Sequence, residues 1–168
     1  MVLTKSELID SLQKEVRILL HLAGKIDRGD LDYRPSPNQR STIELLRYLS
    51  VMGPELVRGA KTGFDGAAWK AATEAAAARD FDQTMATIAG HADTYATLIG
   101  DMSDADLRGE MVGFDGNEIT RGAFIVSLVL CGHAAYRTQL FLYLKACGRQ
   151  ELGTSNLWRG VDAPAPKS

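Results

Sequence analysis

The chain has 168 residues, 45% of them hydrophobic, which suits one domain with a sizeable core. Its 19 Lys and Arg against 21 Asp and Glu give a net charge of -2 and a pI near 5.9, arguing against binding to nucleic acid or an anionic membrane. The start MVLTKSELID has no signal-peptide pattern, the longest strongly apolar stretch (123–132) is about half a membrane span, and only two cysteines occur, so a cytoplasmic, reduced location is expected.

Thr4 followed by Glu7 has the form of a reciprocal capping box, which predicts a helix start. Ile9, Leu12, Val16, Leu19, Ala23 and Ile26 then form one apolar stripe of a helix ending near Gly29. Pro35 and Pro37 make 31–40 a loop. Ser41 with Glu44 opens helix two, whose buried positions are Ile43, Leu45, Leu46, Leu49 and Met52, and Gly53-Pro54 should kink or divide it. The alanine-rich stretch 67–79 with Trp69 reads as a helix on the bundle surface. Asp80 with Gln83 opens the third main helix, with a stripe from Phe81 through Met85, Ile88, Ala92, Tyr95 and Ile99 to Met102. Ser103 with Asp106 caps a short turn, and 111–120 reads as a small β-hairpin turning at Asp115-Gly116. From Thr120 a long helix runs to about Cys147 with apolar residues on more than one face, as in a central helix or one at a dimer interface. The chain after Gly148 reads as a meandering tail anchored by Trp158; one domain is expected over 1–160, with 161–168 frayed.

One feature repeats. Arg58-Gly59 with Gly63-Phe64-Asp65-Gly66 recurs fifty residues later as Arg108-Gly109 with Gly113-Phe114-Asp115-Gly116. Neither copy has the ending of a P-loop, so they read as twin turns whose glycines permit positive φ while the phenylalanine packs inward.

The three histidines occupy three different helices, so there is no local metal motif. His21 reads as a surface residue, His91 as a partly buried structural one, and His133 as a core histidine that needs a partner. Cys131 and Cys147, about 24 Å apart along one helix, cannot pair and read as inert packing residues. Arg137 and Gln139, close to so apolar a helix, need partners if they face inward.

The segments LDYRPSPNQRSTIELLRYLS and GHAAYRTQLFLYLK resemble the helix-two entry and the last helix of the DinB-like superfamily, which includes bacterial metal-dependent thiol transferases. The resemblance implies an all-α four-helix bundle in up-down-down-up order, with an extra short helix and a small hairpin before the last helix, often dimeric. It also implies a zinc or nickel site built from one His of helix two and two of the last helix, four residues apart. Aligned on Arg137 and Gln139, those positions hold Tyr48, Gly132 and Tyr136; a shift of one residue brings in His133 but makes the second ligand Arg137.

The resulting expectation is a bundle without the usual metal triad and with no cofactor. A small-molecule pocket is lined by Tyr48, Gly132, His133, Tyr136 and Gln139, or the protein acts as a homodimer in a stress-related role; no nucleic-acid or membrane partner is expected. The alternative is a divalent-metal-dependent transferase or hydrolase acting on a low-molecular-weight thiol, with an unconventional site drawing on His133, Tyr48, Tyr136 and a carboxylate such as Glu44 or Glu55.

Overall fold

A computed structural model describes residues 3–164. Helix α1 spans Lys5–Ala23, α2 Thr42–Thr62, α3 Gly66–Ala77, α4 Phe81–Ala89, α5 His91–Gly100 and α6 Asp104–Arg108. Strands β1 (Glu110–Val112) and β2 (Glu118–Thr120) form an antiparallel pair with Met111 opposite Ile119. The last long helix is continuous from α7 (Arg121–Phe124) through a π-wound segment, Ile125–Leu130, to α8 (Cys131–Ala146), and α9 (Thr154–Arg159) follows. The fold is an all-α bundle. Helix α1 packs on α5 and α8, and α2 packs on α4, α5 and α8.

All four capping pairs form as reciprocal boxes: Thr4–Glu7, Ser41–Glu44, Asp80–Gln83 and Ser103–Asp106. Each satisfies backbone donors that the first turn leaves free, so these helix starts are local decisions of the sequence. The stripes bury as their periods require: Leu12, Val16 and Leu19 from α1, Leu45, Leu46 and Leu49 from α2, and Ile88, Tyr95 and Ile99 from α4 and α5 form one core with Ile125, Val129 and Leu140.

Several boundaries differ from expectation. Helix α1 stops at Ala23, where Gly24 caps it, rather than near Gly29; Ile26 still packs on the core from the turn that follows. Helix α2 is not divided at Gly53-Pro54, because the carbonyl freed by the proline finds another partner, described below. The third helix is two segments that meet at Gly90, whose φ of -69° keeps the backbone right-handed, so both segments share one stripe. The hairpin turns through a five-residue loop closed by Gly113 N–H to the Asn117 carbonyl (2.8 Å), not through a two-residue Asp-Gly turn. Gly116 alone in that loop is left-handed, at φ 81°.

The segment after Gly148 is no meander. Helix α9 is pinned to the bundle by Arg137, whose Nε donates to Glu15 (2.5 Å) and whose Nη1 donates to the Leu157 carbonyl, while its guanidinium lies over the Trp158 ring. His21 is not a surface residue: its Nε2 accepts from Asn156 Nδ2 at 3.0 Å, and Asn156 also donates to Asp162. Asp162 accepts from Lys25 Nζ as well (2.7 Å), so the expected frayed tail is tied down at that position. Residues 165–168 of that tail lie outside the described residues.

Candidate functional site

The largest concentration of aromatic side chains lines a cleft of about 540 Å³ between α2, α3, the hairpin loop and the last helix. Tyr48 and Met52 come from α2, Trp69 from α3, and Gly132 and Tyr136 from α8. Gly132 matters by having no side chain: a Cβ there would stand 3.2 Å from Met52 Cε. The π-wound segment brings Ser127 and Leu128 to the wall, and π-helical irregularities are frequent at functional sites.

The rings form a connected set. Tyr48 meets Tyr136 with centroids 5.2 Å apart and Trp69 at 6.5 Å, both edge to face, and Trp69 continues to Phe64 at 5.9 Å. Phe64 meets Phe114 at 5.4 Å and 90°. The two phenylalanines of the repeated Gly-Phe-Asp-Gly segments therefore touch each other. They are not packed inward: Phe64 is 49% and Phe114 63% exposed, so they stand at the rim of the cleft. Of the six glycines in the repeats only Gly63 and Gly116 have positive φ.

Behind Tyr48 the Arg40 guanidinium stacks 4.0 Å from the ring centroid. Gln139 Nε2 donates to the Tyr143 hydroxyl, which donates to the Arg40 carbonyl at 2.9 Å. Gln139 thus lies outside the cleft and acts on it at one remove, by fixing the backbone of Arg40. Burial, and secondarily the neighbouring Tyr136 phenol, push the Tyr48 phenol up to about 12, with Arg40 acting in the opposite direction. Tyr48 is a neutral hydrogen-bonding group at physiological pH.

His133 also lies outside the cleft. It is buried on the side facing α5, where its Nε2 stands 2.6 Å from the Tyr95 hydroxyl, while Nδ1 has no partner. Burial, and then the charge of nearby His91, push it down to about 3, so it is neutral. Of the five expected lining residues the structure brings Tyr48, Gly132 and Tyr136 together and leaves His133 and Gln139 elsewhere. Met52, Trp69, Phe64, Phe114, Cys131 and Ala135 line it as well, without having been expected there. The repeated Gly-Phe motif was the sequence signal for the two phenylalanines. Cys131 is exposed in the wall, and Cys147 half-buried, rather than both packed in a core. Glu44 is engaged by Ser41 and Arg34, and Glu55 by Arg58.

Among the described residues no group of three or more His, Cys, Asp or Glu side chains could hold a metal ion. The last helix is long and apolar enough, at a mean hydropathy of 1.3, to pass a compositional test for a membrane span. Its buried His133 and Arg137 instead point into the bundle, where each is hydrogen-bonded.

No protein-family model and no curated protein matches the sequence. Among solved structures, the fold is similar to that of a DinB-like protein, YjoA, from Bacillus subtilis, with a TM-score of 0.67 at 15% identity over 88% of this chain and 95% of that one.

Proposed function

We propose that this chain, with the fold of the DinB-like proteins, binds a flat, uncharged aromatic small molecule in the aromatic cleft, without a metal centre. The observation that carries the reading is the cleft itself: about 540 Å³ lined by five aromatic rings and no charged side chain. That volume falls in the range of small-ligand sites, and rings on several sides offer edge and face contacts to a planar guest. The phenol hydroxyls of Tyr48 and Tyr136, with Ser127, supply the few polar groups that would orient it.

The donor chemistry supports the metal-free part. At the positions where the DinB-like resemblance implies histidines stand two phenols and a glycine, and the Tyr48 phenol holds its proton far above neutral pH. Divalent zinc or nickel is held by deprotonated or imidazole ligands, and the one histidine nearby is bonded to Tyr95 on the other side of the helix.

The test is fluorescence titration with 1-naphthol as the probe in a Trp158→Phe background, which leaves Trp69 as the only tryptophan. Saturable quenching that Ala135→Phe abolishes, with unfolding unchanged, is the expected result. Quenching that never saturates, or that survives Ala135→Phe, would remove the reading.

A second reading is association with another copy through the last helix. Only 28% of its most apolar window is buried, and Cys131, Ala135, Thr138 and Leu142 follow one another along one exposed face. The surface is continuous with the cleft wall, so a second copy seated there would cover the cleft mouth. Sedimentation of the wild type as a dimer and of Leu142→Glu as a monomer is the expected pair of results; a monomeric wild type at micromolar concentration would remove it.

A further inference from the structure

A second cavity, of about 630 Å³, opens between the first turns of α1, helix α6 and the start of the last helix. It shares only Ser127 with the aromatic cleft, and the function proposed above does not use it.

The core is left unfinished here. Helix α6 packs on α7, while α1 packs on the π-wound segment that follows. Gly122 allows the first of these contacts, because a Cβ there would stand 3.1 Å from the Leu107 carbonyl oxygen. The next residue, Ala123, lines the cavity with a methyl group too small to fill it. Leu3, Leu107 and Val126 come from three separate parts of the chain and pack on the core only in part; all three line the cavity beside Leu8. A concave site that leaves this much apolar surface uncovered calls for an apolar guest.

Three lining residues are charged: Lys5, Asp104 and Arg108. Lys5 Nζ donates to the Gly100 and Met102 carbonyls, each at 3.0 Å, and among the described residues no carboxylate pairs with it. Those oxygens are neutral, so the ammonium charge is uncompensated and one of its three N–H bonds is unused. Arg108 stands 3.9 Å from Asp104, too far for a hydrogen bond, and its side chain is 67% exposed. Two cations against one carboxylate leave the lining with one net positive charge. The aromatic cleft has none.

We propose that this cavity binds a free monocarboxylate with a long apolar body, the class of the medium-chain fatty acids, its carboxylate on Arg108 and Lys5 and its chain over Leu3, Leu8, Leu107 and Val126. Walls and charge together select the ligand. The four apolar side chains give a small hydrophilic anion nothing to bury, whereas every methylene of a chain gains by leaving water. One net charge matches a monoanion; a phosphate monoester, close to doubly charged at neutral pH, would bring an unpaired charge against apolar walls. A carboxylate also suits Arg108, whose planar fork takes both oxygens at once.

The experiment is calorimetric titration of the full chain with decanoate, octanoate, decanol, decylamine and decyl phosphate near neutral pH, below their micelle concentrations. Decanoate should bind one to one, decanol about tenfold more weakly or worse, and decyl phosphate more weakly than decanoate; decylamine should give no saturable heat. Octanoate should lose about fourfold in affinity for each methylene removed. Arg108→Gln should weaken decanoate about tenfold while leaving decanol unchanged, and Asp104→Asn should strengthen decanoate by freeing Arg108. Ala123→Phe fills the cavity from an exposed position and should abolish binding with unfolding of the free protein unchanged. In the wild type the methyl NMR signals of Leu8 and Val126 should move with the calorimetric half-saturation. Decanol as tight as decanoate, no dependence on chain length, unmoved Leu8 and Val126 signals, or binding that survives Ala123→Phe would overturn the proposal. Displacement of 1-naphthol by decanoate would overturn it too, by placing the acid in the aromatic cleft. Sedimentation with phosphatidylglycerol vesicles that Ala123→Phe prevents would replace the free acid by a lipid surface.

Discussion

The Tyr95 hydroxyl occupies the space that Gly53 leaves by lacking a side chain: a Cβ on residue 53 would stand 1.7 Å from that oxygen. The hydroxyl then reaches His133 Nε2 at 2.6 Å. One glycine in mid-helix thus admits a hydrogen bond between two other helices across the core.

In an open helix position, Gly→Ala stabilises by about 1 kcal/mol. At Gly53 the overlap with a buried phenol outweighs that gain, and Gly53→Ala should destabilise by about 3 kcal/mol in urea unfolding. Adding Tyr95→Phe should recover part of the loss, since the overlapping oxygen is gone. Gly100→Ala, where a Cβ meets nothing within 4 Å, should be neutral or stabilising. A Gly53→Ala variant as stable as wild type would disprove the role of this contact.

Acid should weaken the fold through two buried histidines. His91 and His133 are held down to about 4 and about 3, against 6.5 for an ordinary histidine. The unfolded chain therefore takes up protons first. Their contribution to stability is complete above about pH 6.5 and is lost as pH falls toward the folded values, by about 1.4 kcal/mol per pH unit for each histidine. The lowered carboxyls of the capping boxes, Glu7 and Glu44, act only below about 4.5. Urea midpoints between pH 7 and 5 should fall steeply, and less steeply in His91→Gln; a flat profile would contradict the burial of both rings.

Arg137 and Glu15 form an ion pair between α8 and α1 with side chains 5% and 11% exposed. Removing one partner leaves a buried charge alone, so Glu15→Gln or Arg137→Met should each cost about 3 kcal/mol or more. Arg137→Met should also release α9, because Arg137 holds the Leu157 carbonyl and underlies Trp158. Faster proteolysis after Gly148 and a changed Trp158 emission would report it. The paired change Glu15→Leu with Arg137→Met should cost less than the sum of the single changes.

At the cleft rim, Phe64→Ala should cost little in stability, about 1 kcal/mol, because the ring is half exposed and its partners remain. It should still change Trp69 emission, since Phe64 lies between Trp69 and Phe114. Phe114→Ala should change it less, having no direct contact with Trp69. Equal changes from both would mean that the rim moves as one unit.

Much of the fold was legible in the sequence because it is locally encoded. Capping boxes need residues three apart, and stripes need spacings of three and four. Both lie within a single helix, so Thr4, Ser41, Asp80 and Ser103 mark their helix starts without knowledge of the rest. The boundaries that were misread depend on partners distant in sequence. Gly53-Pro54 reads as a break until His91 arrives to satisfy the Ser50 carbonyl, and the segment after Gly148 reads as a meander until Arg137 fixes it.

The cleft was partly legible for the same reason. Tyr48 and Tyr136 are amphipathic residues on or beside apolar stripes, and their meeting follows once α2 and α8 are neighbours. The rim was not: two copies of Gly-Phe-Asp-Gly fifty residues apart say nothing about whether their phenylalanines face the core or each other. The direction of His133 was hidden too, because a helix turns by about 100° per residue and one step of register separates the cleft from the core. The sequence by itself determined the helices that open on capping boxes, where those helices start and which stripe of each is apolar, since these depend on backbone hydrogen bonds and periodicity within one segment. Only the tertiary structure decided which polar side chains meet across those helices, because the space that admits Tyr95 to His133, or Arg79 to Ser50, belongs to no single segment.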